Sequence, residues 1–205
     1  MTPQYWRQAT RELAAGDAVL KQLIAQFDGL PIGSRGDAFA TLARAIVGQQ
    51  LSVKAAQSVW DRLCAELRSI TPAAMVGAEA ARLRACGLSG RKAIYLRDLA
   101  ERFDSKALDV AAWSHLDDEA VIEQLIQVKG IGRWTAEMFL IFYMTRPDVL
   151  PLDDIGLQRA MRTYYNRGKP LSAPRMRKIG AGWAPWRSVA TWYLWRSLDP
   201  IAVEY

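Results

Sequence analysis

Val128-Lys129-Gly130-Ile131-Gly132 runs directly into Arg133-Trp134-Thr135-Ala136, and the chain then continues through an apolar stretch to Leu150-Pro151-Leu152-Asp153-Asp154. A glycine turn that enters a helix exposes backbone N–H groups carrying partial positive charge, and a phosphate fills such a site well. The run from Arg133 to Met144 is apolar on nearly every face, which marks a buried central helix of an all-α fold. The carboxylate pair that closes the stretch offers a negative group for chemistry beside the phosphate. Asp153 and Asp154 both stand where the next helix is expected to begin. For Asp153 an N-cap with a favourable first-turn charge is a sufficient account. For Asp154 the same position has a chemical use, because a carboxylate there could stabilise a developing cation or activate water.

Outward from this stretch the chain reads helical nearly throughout, with apolar residues recurring at three- and four-residue spacing. The pattern predicts helices near 3–15, 17–27, 36–48, 52–67, 79–85, 90–103, 118–127, 133–145, 155–165, 173–180 and 186–198. Short linkers rich in Gly, Pro, Ser or Asp separate them: Asp28-Gly29-Leu30-Pro31, Thr71-Pro72, Arg146-Pro147-Asp148 and Arg167-Gly168-Lys169-Pro170. Composition agrees with a globular protein of one domain or two small lobes: 205 residues, 51% hydrophobic, net charge +6. The basic balance suits a polyanionic partner. The two cysteines, Cys64 and Cys86, and the single histidine, His115, are too few and too scattered for a disulfide framework, a zinc site or a histidine triad. Neither a signal peptide nor a membrane-spanning run is expected.

Four helix starts combine a hydroxyl or glycine with a cation: Ser52 with Lys54, Ser89 with Lys92, Gly132 with Arg133, and Trp186 with Arg187 and Ser188. Ordinary N-capping is one reading and an arc of phosphate contacts the other. The C-terminal helix carries Trp186, Val189 and Tyr193 on one side and Trp192 and Trp195 on roughly the opposite side. One face is expected to pack inward and the other to line a cleft, where indoles serve base stacking. Trp134, Met138 and Ile141 form one stripe of the central helix, for which plain core packing is the simpler account of the last two.

The tract from Val128 to Ala136 followed by Leu152-Asp153-Asp154 resembles the helix-hairpin-helix–Gly/Pro–Asp superfamily of DNA glycosylases. Ala45-Ile46-Val47-Gly48-Gln49-Gln50-Leu51-Ser52-Val53-Lys54-Ala55-Ala56, Leu88-Ser89-Gly90-Arg91-Lys92-Ala93 and Trp186-Arg187-Ser188 are similar to its DNA-3-methyladenine glycosylase II branch. The resemblance spans nearly the whole chain. It implies a two-lobed all-α bundle with a helix-hairpin-helix motif and a DNA cleft between the lobes. Residues 38–146 would form the larger lobe, and 1–37 with 147–205 the smaller one.

The resemblance also assigns roles. Asp154 would be catalytic, and Trp134, Trp195 and Met138 would line the base pocket. Gln50, flanked by Gln49 and Leu51, would plug the gap left by an extruded base. Phosphates would meet Gly130, Gly132, Arg133 and Thr135 at the hairpin, and Ser52, Lys54, Lys92, Arg187 and Ser188 elsewhere. No cofactor is required for catalysis, but main-chain carbonyls of Ile126, Val128 and Ile131 leave room for a structural Na+ or K+.

The expected activity is monofunctional excision of alkylated purines of the 3-methyladenine and 7-methylguanine type from double-stranded DNA. Where bifunctional relatives place a Schiff-base lysine this chain has Glu123, and no four-cysteine cluster follows the catalytic region. Met138 stands where some relatives carry tyrosine, which leaves the lesion range open, and the β-rich amino-terminal extension of longer relatives is missing. A monomer suffices, and a cytoplasmic, nucleoid-associated place is expected if the source is bacterial. Two other readings compete: a helix-hairpin-helix module that grips DNA without chemistry, and a helical interaction domain whose tryptophans are all core.

Overall fold

The computed structural model describes residues 2–27, 31–32 and 37–198. Asp28, Gly29 and Leu30 of the first expected linker lie outside them. Every regular element among the described residues is a helix. In chain order these are α1 (Trp6–Gly16), α2 (Ala18–Gln26), α3 (Ala38–Gly48), α4 (Val53–Leu67), α5 (Pro72–Gly77), α6 (Ala80–Ala85) and α7 (Gly90–Asp104). There follow α8 (Val110–Trp113), α9 (Asp118–Leu125), α10 (Arg133–Phe142), α11 (Ile155–Tyr165), α12 (Ala173–Ala181) and α13 (Arg187–Leu198). None is long and apolar enough to cross a membrane.

Most starts are written in the sequence as side-chain caps. Asp17, Asp37, Ser52, Thr71, Ser89, Asp109, Asp117 and Asp154 each accept a first-turn backbone N–H. The two helices absent from the sequence expectation, α5 and α8, are too short to show a period. Thr71-Pro72, expected as a linker, is instead the cap and first residue of α5, a place where proline's missing N–H costs nothing.

The chain divides into two compact units. The first comprises Met1–Ser34 and Leu140–Tyr205, the second Arg35–Phe139. The second boundary falls inside α10, ahead of the expected break after residue 146. The reason is that Phe142, at the end of that helix, packs on α13 of the first unit: its ring lies 6.2 Å from Trp192 and 5.7 Å from Trp195.

The second unit is built on a chain of edge-to-face rings, Phe39–Phe103, Phe103–Trp113 and Trp113–Phe139, at 5.4, 6.3 and 5.5 Å. Trp113 is fully buried, and its indole N–H donates to Gln124 at 2.7 Å. Leu42, Ile46, Leu63, Leu96 and Leu99 of the same unit are fully buried as well.

The first unit is tied by Asp17. One carboxylate oxygen accepts the N–H groups of Val19 and Leu20 and so caps α2. The other accepts the Tyr165 hydroxyl at 2.9 Å and the Trp183 indole N–H at 3.1 Å. Burial, reinforced by the Asp17 charge, pushes the Tyr165 hydroxyl well above its usual range, so it stays a donor. One side chain thus joins α2 to α11 and to the segment after α12. Asp17→Ala removes a cap and orphans the buried Trp183 indole N–H and the half-buried Tyr165 hydroxyl. It should lower unfolding free energy by about 2–4 kcal/mol, read by urea denaturation. Glu12→Ala, which removes only the exposed bonds from Gln8 and Trp186, should leave the midpoint nearly unchanged.

Candidate functional site

Asp154 is the N-cap of α11, and it is buried, with 8% of its surface exposed. Its Oδ1 accepts the Leu157 N–H at 2.6 Å and the Trp195 indole N–H at 2.7 Å. A carboxylate is costly to bury unless hydrogen-bonded, and these donors supply that compensation while fixing its orientation. The cap expected at Asp153 is a correction: Asp153 is exposed, and its neighbour both caps the helix and carries the candidate chemistry.

Room for this pairing comes from Gly156. A Cβ there would lie 3.1 Å from Asp154 Oδ1, 3.1 Å from Trp195 Cδ1 and 3.2 Å from Trp195 Nε1. Trp195 is held from its other side by Phe142, whose ring stacks on it at an interplanar angle of 14°. Neither contact was legible in the sequence beforehand. A glycine in the first turn of α11, where it weakens the helix, was the one available signal.

The expectation for α13 needs revision. The helix is enclosed on almost all sides, and Trp192 is 7% exposed, so its opposed indoles do not mean one packed and one open face. Only Trp195 is half-buried among the two expected at a cleft.

The stripe on α10 runs from surface to core. Trp134 is 39% exposed, whereas Met138 and Ile141 are buried. Trp134 can present an indole face to a ligand. Met138, expected at the base pocket, belongs to the core.

The hairpin is anchored from beneath. Asp98 accepts the Lys129 N–H at 2.9 Å and the Arg102 guanidinium at 3.1 Å. Burial alone would raise its carboxyl, but the Lys129 amide and the Arg102 charge hold it below the usual range. Gly130 has φ +84, and a Cβ there would fall 2.2 Å from the Tyr95 ring. The Lys129 and Ile131 amides are taken, by Asp98 and by the Val128 carbonyl. Of the hairpin residues expected to meet a phosphate, Gly130, Gly132 and Arg133 have amides with no acceptor among the described residues.

The tract around Gln50 is fastened to this hairpin. The Gln49 side-chain amide donates to the Gly130 carbonyl at 2.8 Å. The Lys92 ammonium donates to the carbonyls of Val47 and Gln49 at 2.8 and 2.6 Å. Gln50 follows with φ 58 and is exposed, and Leu51 is 40% exposed. Of the three candidates for filling a gap in DNA, Gln49 is committed to the hairpin, while Gln50 and Leu51 stand at the tip.

Several cations expected on phosphates are consumed internally. Lys92 closes the end of α3, and desolvation lowers its pKa. Arg133 pairs with both oxygens of Glu119 and with Glu137 at 3.2 Å, and the Glu119 partner raises its pKa. Arg187 grips Asp148 with two bonds of 2.7 and 2.8 Å. Ser188 is fully buried, accepting the Val149 N–H at 2.9 Å. Ser52 is a helix cap that remains exposed, Lys54 is exposed with no partner among the described residues, and Thr135 is half-buried.

For an ion at the hairpin, Val128 and Ile131 are buried and Ile126 is 42% exposed. The Val128 carbonyl accepts the Ile131 N–H at 3.1 Å, which occupies one of its two lone pairs. No cluster of His, Cys, Asp or Glu suited to a metal occurs among the described residues. A donor set of neutral carbonyls fits a monovalent cation better than a divalent one.

Residues 43–185 match the family described as HhH-GPD superfamily base excision DNA repair protein. The chain is 36% identical to the DNA-3-methyladenine glycosylase 1 of Schizosaccharomyces pombe, over 78% of this chain and 72% of that protein. Among solved structures, the DNA-3-methyladenine glycosidase of Bacillus halodurans superposes with a TM-score of 0.87 at 34% identity, covering 96% of this chain and 92% of that one. The S. pombe 3-methyladenine DNA glycosylase Mag1, in complex with abasic DNA, gives 0.77 at 32% identity, covering 96% of this chain and all of that one. With its glycine hairpin, its capped aspartate and a match over most of its length, the chain belongs to the HhH-GPD superfamily of base excision DNA repair proteins.

Proposed function

We propose that this protein is a monofunctional DNA glycosylase that removes alkylated purines of the 3-methyladenine and 7-methylguanine type from duplex DNA, acting as a monomer. The observation that carries the reading is the buried Asp154 carboxylate held by Leu157 and Trp195. A module that merely gripped DNA would need this carboxylate only as a cap for α11 and an anchor for Trp195, and the similar proteins are named as glycosylases.

The chemistry follows from the groups present. A purine alkylated at N3 or N7 is cationic and leaves without a strong general acid. An indole face such as that of Trp134 attracts the cation by roughly 0.5–2 kcal/mol. As the glycosidic bond breaks, the sugar gains oxocarbenium character. A carboxylate about 4 Å away, at an effective dielectric near 20, stabilises that charge by roughly 4 kcal/mol. Water completes the hydrolysis, and no lysine stands at Glu123 to form a covalent lyase intermediate. Gln50 and Leu51 fill the vacated stack and offset part of the few kcal/mol that flipping costs. The amides of Gly130, Gly132 and Arg133 receive a backbone phosphate, joined by Lys54 and Ser52. A Na+ or K+ on the carbonyls of Ile126, Val128 and Ile131 would add positive charge beside that phosphate.

Asp154→Asn should slow release of methylated purine from duplex DNA by about a thousandfold in single-turnover assays, with DNA affinity little changed. Near-normal release would refute the assignment. Gly156→Ala, which crowds the Asp154–Trp195 pair, should also slow release while leaving the fold intact by circular dichroism. Gln49→Leu and Lys92→Met free the turn that presents Gln50. Each should slow release by about tenfold from a normally paired lesion, and less from a mismatched one, whose flipping costs less. Equal slowing on both substrates would exclude a role in flipping.

A further inference from the structure

From Ile155 to Leu198 the chain contains no Asp or Glu. Within that acid-free stretch, residues 159–178 carry seven cations, more than the net charge of +6 of the entire protein. Arg159 and Arg162 lie on α11, Arg167 and Lys169 in the connecting loop, and Arg175, Arg177 and Lys178 on α12. All seven are exposed, and none has an ion-pair partner among the described residues.

The second unit, which holds the hairpin, is the opposite case. Residues 35–139 have 14 Lys and Arg against 13 Asp and Glu. There Arg82 pairs with Glu66, Arg97 with Glu101, Arg102 and Lys129 with Asp98, and Arg133 with Glu119 and Glu137. Net positive charge is thus concentrated on one continuous stretch of the first unit, whereas the second unit's cations, including the unpaired Lys54, Arg68, Arg84 and Lys106, are offset by a nearly equal number of acids. The arrangement has a directional feature. Ile155, Arg159 and Arg162 share one stripe of α11, so the stripe starts beside Asp154 with an apolar residue 80% exposed and continues as cations.

We propose that α11, α12 and the loop joining them form a sequence-independent docking surface for the phosphate backbone of duplex DNA, separate from the hairpin amides. Dense single-sign charge with no internal partner costs self-repulsion in the free protein, and phosphates relieve it with release of condensed counterions. The neutral hairpin amides position a phosphate but release little salt, so this surface supplies most of the ionic-strength dependence of binding. The proposal takes duplex DNA as the substrate from the function proposed above.

The test uses the full-length protein and a short undamaged duplex, with affinity measured between about 50 and 200 mM salt. The triple variant Arg175→Gln, Arg177→Gln, Lys178→Gln is compared with Arg68→Gln, Arg84→Gln, Lys106→Gln, which removes equal charge from exposed positions of the second unit. The α12 variant should flatten the log–log salt slope by about 2–3, and the control should leave it unchanged. Base release by the α12 variant from a lesion duplex at saturating enzyme should match the wild type. An unchanged slope in the α12 variant, or equal flattening in both, would overturn the proposal. So would loss of binding to phosphatidylserine vesicles with DNA affinity preserved, which would assign the surface to a membrane. Because binding is read on undamaged DNA, a wild type that released no base would refute the glycosylase reading while leaving this comparison decisive.

Discussion

The site depends on one oxygen atom. Asp154 Oδ1 receives a backbone N–H from its own helix and an indole N–H from α13, and these bonds help a carboxylate sit 8% exposed. The rest of the first unit can be seen as the support for that contact. Gly156 leaves the gap that the indole enters, Phe142 backs the ring, and the near-complete enclosure of α13 fixes the helix from which Trp195 projects. Asp17 draws α2, α11 and the Trp183 segment together further along. The carboxylate proposed for catalysis is oriented by a helix terminus and a packed indole rather than by a loop, as a group that must tolerate little wandering requires.

The fate of the helix-start cations has a single physical cause. A helix N-terminus carries partial positive charge, so a cation in the first turn is disfavoured unless something negative answers it. Arg133 is answered by Glu119 and Glu137, and Arg187 by Asp148. Lys92 reaches instead to the carbonyls at the C-terminal end of α3, the negative end of another helix. Phosphate was the expected counter-charge at these turns, and the fold had already provided its own. Where the chain keeps cations without acids, on α11 and α12, they stand mostly beyond the first turn, where the dipole no longer opposes them.

What could be read in advance was local. The hairpin glycines, the apolar α10, the caps at Ser52 and Ser89 and the aspartate at the start of α11 all act over a few residues, so spacing exposed them. The partners that give these groups meaning are remote: Trp195 for Asp154, Asp98 for Lys129 and Gly130 for Gln49. A single sequence holds no signal for such pairs beyond an oddly placed glycine. The helical period misled in α13 for a related reason. Period tells which side chains share a face, but an enclosed helix has no solvent face to identify, and Trp192 and Tyr193 are buried on different sides of it.

Gln49 and Gln50 show how backbone geometry divides two identical side chains. Gln50 sits at φ 58, a region that costs a non-glycine residue on the order of 1 kcal/mol and persists only when its surroundings enforce it. Here the chain is fixed on both sides of the strained residue. Gln49 is held through its side chain by Gly130 and through its carbonyl by Lys92, while Leu51 donates to the Gly48 carbonyl and Ser52 caps α4. With both flanks anchored, the left-handed residue has no relaxed alternative, and its side chain is the one left at the surface. The hairpin whose amides are proposed to receive a phosphate is therefore also the anchor that holds Gln50 in its strained form. A displacement of Gly130 would disturb the hairpin and the Gln50 turn together, which argues that the two motifs act as one rigid element within the second unit.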